Sequence, residues 1–249
     1  MRLIINYIIG IIAMIFFAYV TSHLPQYSST LFMGYFAVMM VILFLTTGKS
    51  ATKMVSNIEQ IKKSKKIMEI RKETVNKLRI LDSNKLAQEM KGQALLSMFM
   101  FIPIIFIILI MIMPNLRENI ITFFGALALK LGQIDEKTKL FAGYLGFYMI
   151  FYIFSISSMI ITRLYQKKSG GMLLIPSTYY LSENGLILDE RTPILFPLKD
   201  SEMTIDEQRK FVEIKTIISL GMGGKSKSRI RLYHPQPKQL YDALKNYLN

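Results

Sequence analysis

Four runs of apolar residues are set into an otherwise basic chain: Leu3 to Val20, Leu31 to Thr47, Leu95 to Met113 and Phe141 to Ile161. Each is about long enough, at 1.5 Å per residue, to cross a hydrocarbon core of roughly 30 Å, and none carries a charged residue. They predict four membrane helices. Arg2 ahead of the first run gives it a superficial likeness to a secretory signal. The run is long for one, however, and no small-x-small cleavage site follows it cleanly, so it reads as a membrane helix.

The polar intervals set the orientation. Thr21 to Thr30 contains no Lys or Arg, whereas Lys49 to Lys91 holds twelve against five acids. By the positive-inside rule the basic insert is cytoplasmic, and Arg163, Lys167 and Lys168 place the C-terminal region on the same side. Both termini are then cytoplasmic in a multi-pass protein of the plasma membrane. The 115–140 link falls outside, where the apolar stretch Asn119 to Leu131 predicts a short interfacial helix.

Within the insert, 48–94, nothing from Ala51 to Leu81 breaks a helix, and Ile58, Ile61, Met68, Val75 and Leu78 recur near helical spacing. This predicts one arm of a helical hairpin with partial coiled-coil pairing. Asp82-Ser83-Asn84 supplies the turn, and the second arm runs through Leu86, Met90 and Ala94 into the third span. Lys62, Lys63, Lys65, Lys66, Arg71 and Lys72 form a candidate polyanion or partner surface, because clustered cations attract anionic headgroups at roughly 1 kcal/mol each. Equally, they are what a solvated helical face looks like.

After Lys168-Ser-Gly-Gly171 the pattern changes from helical to alternating. Strands are predicted at Thr178 to Ser182, Leu186 to Leu188, Ile194 to Leu198, Phe211 to Ile218 and Arg229 to Tyr233, with a hairpin at Glu183-Asn184-Gly185. Leu240, Leu244 and Leu248 share one face of a closing helix. Residues 172–249 thus form a small α+β cytoplasmic domain that resembles a pleckstrin-homology-like fold. Gly221 to Ser228 fails as a phosphate loop: Ser219 stands where the first glycine is needed, and a strand follows rather than a helix. Lys225, Lys227 and Arg229 remain candidate anion contacts.

Composition narrows the chemistry. Hydrophobic residues make up 51% of the chain and the net charge is +14, as suits a protein held in a bilayer. With no Cys and two widely separated His, thiolate chemistry is excluded and no metal or cofactor is expected. No nucleophile–base pair is evident, and no enzyme is expected. Intramembrane ionisable groups, the usual marks of ion pathways, are missing from the apolar runs.

The order of span, charged hairpin, span, outer link and span, with Lys85 to Pro103 as a Gln- and Met-rich arm entering a proline-bearing helix, resembles the Oxa1/YidC membrane-insertase superfamily, including its small archaeal members. The resemblance covers roughly Leu31 to Arg163. It implies a polar groove that guides client segments into the membrane, with nascent membrane proteins and the ribosome as partners. Its hydroxyl-bearing lining would be Tyr35, Ser97, Tyr144, Tyr148, Tyr152, Ser155, Ser158 and Thr162. The positive groove charge of many bacterial members has no counterpart here, and the first span is additional. The alternative is a membrane-anchored scaffold or lipid-sensing subunit that recruits another membrane subunit through the hairpin and C-terminal domain. DNA is not an expected partner.

Overall fold

A computed structural model describes residues 2–198, 201–220 and 224–247. The chain forms two compact units, 1–44 with 96–162 and 45–95 with 163–249.

The first unit is helical. Helix α1, Arg2–His23, ends where Pro25 removes a backbone donor and pushes Leu24 out of helical geometry. A 3₁₀ turn, Pro25–Tyr27, leads into α2, Ser28–Lys62, and the two helices bend by 118° across this break. Helix α4, Ser83–Ile112, and helix α6, Glu136–Ser169, flank the shorter α5, Pro114–Leu131, a helix within the link between them. Along α4, Met98, Ile105 and Ile112 are all exposed. An all-round apolar helix that buries so little of itself in protein needs a lipid neighbour.

Two of the four predicted spans, the third and fourth, are matched among the described residues. Among the described residues, α4 and α6 are each long and apolar enough to cross a membrane, and the bent α1–α2 pair adds at most one more if it is a single span.

The core of this unit is aromatic. Phe17 of α1, Phe32 and Tyr35 of α2, and Phe147, Tyr148 and Phe151 of α6 are buried together. Phe32 and Phe147 have ring centroids 5.2 Å apart, and Tyr35 and Tyr148 lie 5.0 Å apart. Helix α5 approaches α6 closely because glycine allows it. A Cβ at Gly143 would sit 2.6 Å from the Ile121 carbonyl oxygen, and one at Gly146 would sit 2.1 Å from Phe124 Cγ.

The second unit holds two four-stranded sheets. One has the order β1-β3-β4-β5, from β1 Lys66–Ile70, β3 Tyr179–Ser182, β4 Gly185–Leu188 and β5 Thr192–Leu195. The other has the order β2-β8-β7-β6, from β2 Met172–Leu174, β6 Glu202–Asp206, β7 Phe211–Leu220 and β8 Gly224–Tyr233, with β2 parallel to β8. Helix α7, Pro237–Lys245, buries Leu240 and Leu244 in the core. Tyr179 crosses between the sheets to donate to the Tyr233 carbonyl at 3.0 Å.

The basic insert differs from its predicted form. Its first arm is not one helix and its arms do not pair as a coiled coil. Helix α2 stops at Lys62, and the chain turns at Ser64, whose hydroxyl reaches the Ile61 carbonyl at 2.7 Å and the Ser182 hydroxyl at 2.9 Å. Residues 66–70 then pair antiparallel with β3, Glu69 opposite Tyr180 and Ile70 opposite Tyr179. Only the short α3, Lys72–Leu81, follows before α4. A sheet edge offering hydrogen bonds overrides a helical propensity worth a few tenths of a kcal/mol per residue. The β-rich domain is therefore not confined to 172–249; it takes in 45–95 as well.

Candidate functional site

Alternation along β7 and β8 sets the most polar feature of the second unit. Glu213 on β7 lies opposite Arg231 on β8, and Arg229 and Phe211 share that sheet face by the two-residue period. Glu213 is buried, 5% exposed, and so is Arg231, at 1%. Arg229 donates through Nε to Glu213 Oε1 at 2.6 Å, and Arg231 Nη2 reaches Glu213 Oε2 at 2.8 Å.

The turn before α4 contributes two more carboxylates. Asp82 takes a bidentate pair from Arg209, Nε to Oδ1 at 2.6 Å and Nη2 to Oδ2 at 2.8 Å, together with the Tyr233 hydroxyl. Glu89, two turns into α4, accepts Arg209 Nη1 at 2.6 Å and pairs with Arg231 Nη2 at 2.6 Å. Phe211 lies under both cations, 4.1 Å from the Arg231 guanidinium carbon and 5.0 Å from that of Arg209. Three carboxylates thus meet three guanidiniums. The cluster is neutral in sum, which is what allows so many charges to be buried at once.

Burial works to raise the Asp82 carboxyl, but hydrogen bonds from Arg209 and Tyr233 outweigh it and hold the group below its ordinary range. Glu213 behaves likewise: burial opposes ionisation, and Arg229 and Arg231 reverse it. Arg209, bonded first to Asp82, is pushed further toward its charged form. Burial moves His234 the other way, favouring the neutral ring, whose Nδ1 accepts the Gln236 N–H at 3.0 Å.

These directions give a two-step pH profile. A His whose folded value is depressed destabilises as pH falls below about 6.5, because the unfolded chain protonates first. The two carboxylates supply stability that is fully present above their unfolded values, near about 4, and lost as pH falls through their lower folded values. Thermal melts of the full chain across pH should show a shallow first decline and a deeper second one. His234→Gln should remove the first, and Asp82→Asn should diminish the second.

The residues picked out from sequence divide. Tyr35, Tyr144 and Tyr148 are packed in the closed aromatic core of the first unit, where Thr21 Oγ1 lies 3.3 Å from the Tyr148 hydroxyl. Tyr152 packs against that core half-buried, Ser97 is exposed, and half-buried Thr162 donates to the Ser158 carbonyl at 2.7 Å. Among the described residues, Tyr35, Tyr144, Tyr148 and Tyr152 thus come together in one aromatic cluster, and Ser97, Ser158 and Thr162 are not part of it. Ser155 and Lys225 lie outside the residues whose side chains are described. Lys62, Lys63, Lys65, Arg71 and Lys72 are exposed, and so is Lys66, whose ammonium meets Glu69 at 2.5 Å. Arg229 is taken up by Glu213 rather than presented to a ligand. Among the described residues no group of three His, Cys, Asp or Glu is arranged to hold a metal ion.

Sequence reading missed the cluster. Asp82 looked like a turn residue, and Arg209 and Glu213 lie more than a hundred positions from it. The one local signal is the alternation Arg229, Arg231, Tyr233, which puts two cations and a phenol on a single strand face.

Apolar helices that bury little of themselves, carried in one chain with a charge-clamped sheet unit, define a membrane protein with a substantial polar portion. Residues 6–247 match the DUF2208 family, described as a predicted membrane protein, and the chain belongs to that family. No curated protein and no solved structure matches it.

Proposed function

We propose that this protein is a non-catalytic, membrane-anchored scaffold, with four spans in the plasma membrane, both termini cytoplasmic, and a basic surface that recruits an acidic partner subunit. The observation that carries this reading is the Asp82–Arg209–Glu89–Arg231 clamp, which builds the basic insert into a folded unit. The clamp uses up the buried charges structurally and leaves Lys62, Lys63, Lys65, Arg71 and Lys72 exposed around an ordered edge strand. A preset array of cations suits a partner of complementary charge better than a mobile tail does, because less ordering accompanies binding. The two sheets closed by α7 support a pleckstrin-homology-like architecture, with β1 lent by the insert and β2 added in parallel. The fold carries no ligand by itself.

The packing of Tyr35, Tyr144 and Tyr148 against one another supports a scaffold over an Oxa1/YidC-like insertase, which requires an open, hydroxyl-lined groove. Photo-crosslinkers placed at Lys63 and Lys72 in native membranes test the choice. One stable adduct of fixed mass is expected. A spread of nascent chains or ribosomal proteins at these positions would instead favour the insertase.

A further inference from the structure

We infer that the second unit carries a binding site for the phosphate headgroup of an anionic membrane lipid. A cavity of about 630 Å³ is bounded by the C-terminal end of α6 and by one face of the β6–β7–β8 sheet. Arg163 and Lys167 stand one turn apart on α6, so they share a helix face. On the sheet, Lys215 and Ile217 alternate along β7, and Lys227 lies directly opposite Ile217 on β8. All five line the cavity.

Charge selects the occupant. Four cations face one acid, Glu202, which sits opposite Lys215 and takes its ammonium at 3.3 Å. Four cations to one acid gives the lining a positive formal balance that suits a phosphate, at roughly 1 kcal/mol per cation near an anionic bilayer. Position along the chain selects a lipid over a free anion. Arg163 follows the apolar run of α6 after a single residue, Thr162, at the level where headgroups lie beside a membrane helix. Ile217 adds an apolar contact that a soluble anion would not use, being 43% exposed among these cations.

The turn that closes α6 onto the sheet belongs to the same construction. Gly170 and Gly171 adopt φ of 73° and 127°, and a Cβ at Gly171 would lie 2.7 Å from the Lys227 carbonyl oxygen. Glycine there lets the helix end and the Lys227 strand approach each other.

The site is separate from the partner surface, so its failure leaves the scaffold reading untouched. The test uses the purified full chain in neutral detergent, with thermal stability read as phosphatidylglycerol, phosphatidylcholine or inorganic phosphate is titrated. Phosphatidylglycerol should raise the midpoint saturably, and the other two should not. In Arg163→Gln/Lys215→Gln the lipid concentration for half the shift should rise about tenfold or more, whereas Lys63→Gln/Lys65→Gln should behave as the parent. Should the first double variant fail to fold, Lys167→Gln, exposed on α6, replaces it with a smaller expected change. An equal shift with phosphatidylcholine, an equal shift with inorganic phosphate, or a phosphatidylglycerol shift unaltered by the cavity variants overturns the assignment.

Discussion

Arg231→Met should destabilise the second unit by about 3–5 kcal/mol, the range for stripping one partner from a buried ionic group. Arg231 is the hub: its Nη2 is shared between Glu89 and Glu213, and its guanidinium covers Phe211. Methionine fills much of the volume but strands Glu213 at 5% exposure with only the peripheral Arg229 for company. The cost is that of an unpaired charge more than of lost attraction. Arg231→Met/Glu213→Leu should therefore recover much of the loss, although it deletes more contacts. Chemical denaturation of the full chain in detergent, followed by near-ultraviolet signals from the tyrosines of this unit, measures both. A double variant worse than the single would mean that attraction, and not desolvation, governs the cluster.

Gly146→Leu is the second large effect, and it falls on the membrane unit. The first added carbon would overlap the root of the Phe124 side chain, 2.1 Å from Cγ and 2.6 Å from Cβ, so rotating the ring relieves little. Helix α5 must then move away from α6, and Gly143, facing the Ile121 carbonyl, loses its close contact too. Over-packing of this kind costs about 1–3 kcal/mol, and the upper end applies where backbone must shift. The thermal midpoint of the purified chain should drop by several degrees. Gly132→Ala is the comparison, since nothing lies within 4 Å of a Cβ there. An unchanged midpoint for Gly146→Leu would mean that α5 does not depend on this contact.

What the sequence disclosed follows the range of the forces involved. The strands of the C-terminal region are legible from alternation, and β3, β4, β7, β8 and α7 fall where it puts them, because each has a local turn, a proline or a two-residue period. Strand β1 is not legible. Residues 66–70 lack glycine and proline and carry charges at helical spacing, and only the edge of β3, more than a hundred residues later, makes them extended. Similarly, Asp82 and Glu89 read as surface acids until Arg209 and Arg231 come to meet them. The tyrosines of α6 could be counted from the sequence. Whether they face a cavity or one another depends on the bend at Pro25, which sets where Phe32 and Tyr35 go.

The pairing of β1 with β3 also fixes an order of events during synthesis. The strand at 66–70 leaves the ribosome long before its neighbour at 179–182, and two long helices, α4 and α6, are made in between. Until then its edge and the Asp82 carboxylate wait without their native partners, exposed to water or to whatever chaperone holds them. Chains halted anywhere in α5 or α6 would present an unfinished sheet and an excess of positive charge. Closure of β8 over Asp82 is a late step, a latch that engages only on a chain whose apolar helices have already been made.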